Sequence, residues 1–275
     1  MGLLAKERLI VALDVPTVDE AQGIVRELSG VVSFFKIGIE LLMSGKMFEI
    51  VEQIGKNQVF LDLKLPSDIP TTVRRTVALC AQHKVVKFLT LSSAGPTNLI
   101  LESLAAAVEG RGASTVPKLL TVPYLSSLDR VDYATVFGGA SESFESFLVE
   151  RSTALVGAGS DGLIVSGKEI ELLRAKFPKG SGVDLVSPGI RPAGHRSDDH
   201  KRFTTPTEAI RFGADYLVVG RPICAPDSGT RKQAAEAIVA EIEAASADGK
   251  TARSSGRGDS TESFGALAAH SRSSE

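Results

Sequence analysis

The sequence predicts an α/β chain folded as a (β/α)8, or TIM, barrel, on two observations. Short apolar, β-branched runs alternate eight times with amphipathic segments rich in Ala, Leu, Glu and Arg. Eight strand–helix units in about 245 residues also match the length of about 250 that is usual for this barrel. A doubly wound sheet produces the same alternation and stands as the competing architecture.

The strands are read in order as "RLIVALD" (8–14), "SFFKIGI" (33–39), "QVFLDLK" (58–64), "VVKFLTL" (85–91), "KLLTVPY" (118–124), "GLIVS" (162–166), "DLVSPG" (184–189) and "DYLVVGR" (215–221). Between them, "VDEAQGIVREL" (18–28), "IPTTVRRTVALCAQH" (69–83) and "TPTEAIRFG" (205–213) carry helical periodicity, with Thr or Asp near their starts and Gly after their ends. The barrel is expected to occupy residues 1–245 as a single domain. Residues 246–275 are dominated by Ser, Gly, Arg and Ala without hydrophobic period, which predicts a flexible tail.

A chain of 275 residues with 43% hydrophobic content can bury a full core. Its formal net charge of −2 supplies no global basic field for nucleic acid or an anionic membrane, so an anionic ligand must be held by local groups. Cys80 and Cys224 lie far apart and in no metal-like spacing, and are read as small core residues of a reduced chain. The first residues lack a basic segment followed by a long apolar run, and no apolar stretch is long enough to cross a bilayer. The expectation is a cytoplasmic chain.

Strand parity points to a charged site. Side chains alternate between faces along a strand. In the first strand Leu9, Val11 and Leu13 share one side, and Asp14 falls on the other at the strand's end. In the second, Phe35, Ile37 and Ile39 oppose Lys36. In the third, Val59, Leu61 and Leu63 oppose Asp62 and Lys64. The apolar sets suit the helix-facing side, so Asp14, Lys36, Asp62 and Lys64 should converge inside, at the end where such barrels carry their active sites. For one charged residue alone, a structural salt bridge is the simpler reading. Four ionisable groups at the ends of three successive strands favour a task, because burying charge is costly.

A second cluster follows the last two strands. "SPGIRPAG" (187–194) and "VVGRPICAP" (218–226) combine glycines, which let backbone N–H groups approach an anion, with Arg191 and Arg221, which offer bidentate donors. Loops after strands 7 and 8 are the usual phosphate site of this barrel class.

Taken in order, "LIVALDVPT", "FFKIGIELL", "FLDLK" with "DIPTTV", "SPGIRP" and "TPTEAIRFGADYLVVGRPI" resemble the successive signatures of bacterial orotidine 5′-monophosphate decarboxylases, over roughly residues 7–245. The resemblance implies a homodimeric barrel with active sites at the subunit interface and neither metal nor organic cofactor. It implies that Asp14 binds the ribose hydroxyls, and that Lys36, Asp62 and Lys64 form the charged array. Asp68 would complete that array across the dimer interface, with Thr72 following from the same loop. Ser126 would read the pyrimidine, and Arg191, Gly220 and Arg221 would hold the phosphate.

Three features depart from the family pattern. Its Asp-x-Lys-x-x-Asp spacing is lengthened here, because Leu65, Pro66 and Ser67 separate Lys64 from Asp68. The extra residue is expected to bulge the turn and leave Asp68 in place, the alternative being that Ser67 takes the carboxylate's position. Ser92 stands where bacterial members commonly carry His. His200 replaces a phosphate-contacting Gln; an imidazole can also donate to phosphate, and a solvated loop position is the competing reading. His83 and His195 are expected at the surface.

Three rival functions follow. A sugar-phosphate relative would share the Asp-x-Lys strand but use Mg2+. A non-catalytic binder would hold uridine monophosphate without turnover, and a purely structural rim of charges would do neither.

Overall fold

Eight parallel strands close into a barrel in strict chain order, the last pairing back onto the first. They are β1 (Leu9–Ala12), β2 (Phe34–Ile37), β3 (Gln58–Leu65), β4 (Val86–Leu91), β5 (Lys118–Thr121), β6 (Gly162–Ile164), β7 (Asp184–Ser187) and β8 (Tyr216–Val219). Each falls within the segment read from the sequence or one residue beyond it, and closure rules out the doubly wound alternative. This computed structural model describes residues 3–255 apart from 56–57, 67–68, 93–94, 126–127, 129, 138–142, 166, 168 and 194–202; at 130, 136–137 and 249–255 the backbone alone is described.

The surrounding helices are α1 (Ala5–Arg8), α2 (Val18–Glu27), α3 (Ile39–Met43), α4 (Met47–Ile54), α5 (Pro70–Cys80), α6 (Thr97–Arg111), α7 (Arg130–Phe137), α8 (Phe144–Gly157), α9 (Glu169–Lys176), α10 (Pro206–Phe212), α11 (Arg221–Cys224) and α12 (Arg231–Ser255). Their ends follow local chemistry. Thr17 caps α2 by accepting from the Glu20 N–H at 3.2 Å. Thr205 and Glu208 form a reciprocal capping box at α10, which has Pro206 in its first turn and Gly213 in the left-handed region at its end. Where a flexible tail is expected, α12 continues past residue 245 to Ser255. Ala245 is buried against the core, and the Ser246 hydroxyl accepts from Arg8 at 2.7 Å.

Parity sorts the strand residues into two layers, as the alternation predicts. Leu9, Val11, Leu13, Phe35, Ile37, Val59 and Leu61 belong to the outer core shared with the helices, and Leu63 packs against it. Ile10, Ala12, Phe34, Phe60, Phe88 and their counterparts on β5 to β8 fill the barrel interior. Ile39 departs from this pattern: the chain leaves the strand at Gly38, and Ile39 opens α3 with 53% of its surface exposed.

The interior is a packed plug rather than a pore. Phe88 lies 5.2 Å from the Phe34 ring and meets Tyr216 edge-on at 5.0 Å and Phe60 edge-on at 5.9 Å. These offset and edge-to-face geometries suit the ring quadrupoles. The plug forms a rigid apolar floor beneath the C-terminal strand ends.

Phe88 is completely buried at the centre of these contacts. Phe88→Ala should therefore destabilise the fold by about 3–5 kcal/mol through lost transfer energy and the cavity left behind. The check is a urea titration showing a lowered midpoint at unchanged slope; a loss under about 1 kcal/mol would show that the ring stack does not hold the barrel.

Candidate active site

Lys36 is the centre of the charged array. It lies on β2, paired in register with Ala12 on one side and Phe60 on the other, with its side chain directed into the top of the barrel. Only 9% of that side chain is accessible. Its ammonium donates to Asp14 Oδ1 at 2.7 Å and lies 3.4 Å from Asp62 Oδ2. Lys64 Nζ reaches both Asp62 oxygens, at 2.9 and 3.0 Å. The result is an alternating chain of charge, Asp14, Lys36, Asp62, Lys64, built from the ends of three adjacent strands.

Each interior charge has two opposite partners. Burial works against the Lys36 ammonium, but the attraction of Asp62 and then of Asp14, with hydrogen bonds to both, raises its pKa above the usual lysine range. Burial likewise works against the Asp62 carboxylate. Lys36 and Lys64, with hydrogen bonds from Lys64 and Thr90, outweigh it and hold the pKa below the usual carboxylate range. Both groups therefore stay charged. The outer members differ: the Asp14 and Lys64 side chains are 52% and 48% accessible, open to a ligand.

Local backbone features create this geometry. Between β3 and β4, Leu61 pairs with Leu89 and Leu65 with Leu91, so Asp62, Leu63 and Lys64 together face Thr90. Lys64 takes a left-handed φ of 44°, an uncommon conformation for a residue with a side chain. This irregularity lies inside β3; the lengthened turn that the sequence is expected to bulge runs through residues 67–68, outside the described residues. At Gly38 a Cβ would lie 3.2 Å from Asp14 Oδ1 and 3.8 Å from Lys36 Nζ, so a side chain there would crowd the ion pair.

A cavity of about 500 Å³ opens at this end of the barrel, within the range usual for small-molecule sites. The charged array lines one side, Phe60, Val122, Ile164 and Val218 line its apolar depth, and Gly189, Arg191, Gly220 and Arg221 line the side formed after β7 and β8. Arg191 is buried, and its backbone N–H donates to the Thr204 carbonyl at 3.0 Å. Arg221 is exposed as the first residue of α11, and Gly220 precedes that helix with a φ of −104° and ψ of −101°. Asp14 Oδ2 lies 3.9 Å from where a Gly220 side chain would begin, which sets Asp14 between the ion array and the β8 loop.

The structure thus brings together Asp14, Lys36, Asp62, Lys64, Arg191, Gly220 and Arg221. Thr72 does not line the cavity of its own chain; it lies exposed in the first turn of α5, its N–H donating to the Ile69 carbonyl at 2.9 Å. Asp68, Ser126 and His200 lie outside the described residues, as do Ser67 and His195. Ser92 is held through its backbone N–H to the Leu65 carbonyl at 2.9 Å and does not border the cavity. His83 stacks on Phe48 at 4.6 Å, away from the site. Cys80 and Cys224 are buried, and burial pushes their thiols up to about 11 and about 12, in keeping with core roles.

Thr90, Gly38 and Tyr124 belong to or border the site without having been singled out by sequence. Tyr124 ends a predicted strand, and Gly38 follows Lys36 closely enough for a backbone approach to be read. Thr90 looks like any β-branched strand residue.

Comparisons with known proteins converge on one family. The model for the Orotidine 5'-phosphate decarboxylase / HUMPS family matches residues 7–238. An orotidine 5'-phosphate decarboxylase from Nitrobacter winogradskyi is 43% identical over 242 residues, covering 87% of this chain and 94% of the relative. One from Rhodopseudomonas palustris is 41% identical, covering 86% and 95%. The crystal structure of orotidine 5'-phosphate decarboxylase from Lactobacillus acidophilus superimposes with a TM-score of 0.68 at 28% identity, covering 86% of this chain and 99% of that one. The chain belongs to the orotidine 5'-phosphate decarboxylase / HUMPS family.

Proposed function

We propose that this chain decarboxylates orotidine 5′-monophosphate to uridine 5′-monophosphate, within pyrimidine biosynthesis, as a carboxy-lyase. The observation that carries the reading is the alternating Asp14–Lys36–Asp62–Lys64 array, which faces a cavity whose opposite side presents Arg191 and Arg221. The names of the full-length relatives at 41–43% identity support the same substrate.

The reaction breaks the bond between C6 and the carboxylate. CO2 leaves, the electron pair stays on C6, and a proton must arrive there. A vinyl carbanion is poorly delocalised by the pyrimidine ring, so it needs a fixed positive charge nearby. Lys64 supplies that charge and then the proton, which its ammonium recovers from solvent. Asp62 orients Lys64 through both oxygens and stands near the departing carboxylate, while Lys36 holds Asp62 and Asp14 apart at fixed positions. Asp14 takes the ribose hydroxyls. Arg191, Gly220, Arg221 and His200 take the phosphate, and Ser126 the pyrimidine edge. Binding the phosphate far from C6 supplies orientation at the reacting atom.

Asp68 and Thr72 act across a homodimer interface. Thr72 lies exposed and outside its own chain's cavity, and exposed Ile69, whose carbonyl accepts from the Thr72 N–H, offers an apolar side chain beside it to a second copy. Among the described residues no helix is long and apolar enough to cross a membrane. A fixed ammonium meets the chemical demand without a metal, which separates this reading from the Mg2+-using sugar-phosphate reaction.

Loss of orotidylate ultraviolet absorbance should proceed with purified protein in excess EDTA, and Lys64→Ala should lower kcat by about 10³-fold or more. No loss of orotidylate, together with Mg2+-dependent turnover of a sugar phosphate, would favour the sugar-phosphate reaction. Uridine monophosphate binding without turnover would leave a binder.

Mixing inactive Lys64→Ala and Asp68→Ala chains under conditions that exchange subunits should restore about one quarter of the parental activity, since half the dimers then carry one intact site. No recovery despite demonstrated exchange would place Asp68 within its own chain's site.

Because Asp62 is held below the usual carboxylate range, kcat should stay flat as pH falls through about 4 and drop only beneath it. The same sign applies to stability: the contribution of ionised Asp62 is present above the unfolded-state carboxylate pKa and is lost as pH falls through the lower folded value. A pH–rate profile with an acid limb above about 5 would contradict the assignment.

A further inference from the structure

We infer that Thr90 is a positioning residue that sets the geometry of Asp62 and Lys64 through a single hydroxyl; the inference rests on the decarboxylase reading. Thr90 is completely buried on β4, next to Leu89 and Leu91, which face the outer core. Its own side chain therefore points inward, above the Phe88 plug and below the ion array. Its hydroxyl donates to Asp62 Oδ1 at 3.0 Å and accepts from the Lys64 backbone N–H at 2.8 Å. A hydroxyl has one donor and two acceptor sites, so both bonds can be made at once.

The register explains why that position matters. Thr90 faces three residues of the bulged strand, Asp62, Leu63 and Lys64, where regular pairing would place one. A bulge removes ladder partners from the backbone groups it displaces. The Thr90 oxygen replaces a backbone carbonyl as the acceptor for Lys64, and so holds Lys64 at its left-handed φ of 44°. Such a backbone is strained and persists only where its surroundings determine it. The same oxygen's proton fixes the Asp62 carboxylate that grips the Lys64 ammonium. Thr90 thus acts on both ends of Lys64 without facing substrate.

Thr90→Val keeps the shape and removes both bonds, whereas Thr90→Ser keeps the hydroxyl. With a parent that turns over orotidylate, Thr90→Val should lower kcat by about 10²-fold, the size expected for misplacing a reacting group by about 1 Å. KM and the Kd of uridine monophosphate should change less than about threefold, because the ligand-binding groups are untouched. Thr90→Ser should stay within about fivefold of the parent in kcat. In a Lys64→Ala background Thr90→Val should have no further effect on kcat, since it acts through Lys64. The acid limb of the kcat profile should also move to higher pH in Thr90→Val, because Asp62 loses a hydrogen bond to its charged form while keeping Lys36 and Lys64 beside it.

Equal kcat for Thr90→Val and parent would overturn the inference alone. So would a Thr90→Val loss that Ser fails to rescue, or one that adds fully in the Lys64→Ala background, since either marks a packing role. A parent that binds uridine monophosphate but turns over no orotidylate would overturn the decarboxylase reading, and the positioning role with it.

Discussion

Everything at the mouth of this barrel depends on one buried ammonium. Taking Lys36 out of water costs several kcal/mol, and only close carboxylates with good geometry offset that cost. Those carboxylates come from the end of β1 and from β3, so the ion chain requires three strands to keep a particular register. A slip by one residue would turn Lys36 into the outer apolar layer and Phe35 into the charged mouth. The outer layer and the aromatic plug oppose that slip from both sides, with Phe35 in one core and Phe34 in the other. Fold and site therefore impose the same register, and neither could drift without breaking the other.

Regular pairing carries the array only as far as Asp62. Beyond it, β3 must bring Lys64 back toward the same carboxylate while Leu63 keeps contact with the outer core. The bulge achieves this by setting three residues against one, at the cost of a strained backbone at Lys64. Strain placed beside the proposed proton donor is consistent with a group held for one geometry rather than for stability. Lys64 is about half exposed while Lys36 is buried, so the two lysines suit different tasks: one meets a ligand, the other fixes the carboxylates.

Much of this was legible in the sequence because its signals are periodic or compositional. Alternation in "RLIVALD", "SFFKIGI" and "QVFLDLK" sorts the two cores and puts Asp14, Lys36, Asp62 and Lys64 on one side. The capping pattern of "TPTEAIRFG" gives α10 almost to the residue. What stayed hidden depends on contacts between strands. Thr90 is unremarkable until β4 lies against the bulge, and the bulge is written in no local motif, because its cause is a register between two chain segments. Ile39 was misplaced for a related reason: Gly38 lets the chain leave the strand early, and period-two reasoning cannot see where a strand stops. The length of α12 was missed because Ala-rich, weakly periodic sequence reads equally as helix or tail until α1 and Arg8 pack against it.

The distribution of polarity around the cavity narrows the ligand further than any single residue does. Cationic groups stand after β7 and β8, an exposed carboxylate stands beside Gly220, apolar side chains line the depth, and a fixed ammonium stands at the far side on β3. A ligand matching that order carries an anionic group at one end, hydroxyls next to it, a flat and weakly polar body, and a centre of developing negative charge at the other. A mononucleotide with a reacting pyrimidine satisfies the sequence of demands in one orientation. An open-chain sugar phosphate meets the first two and leaves the apolar depth formed by Phe60, Val122, Ile164 and Val218 without a partner. The apolar depth therefore favours the nucleotide independently of the charged array beside it.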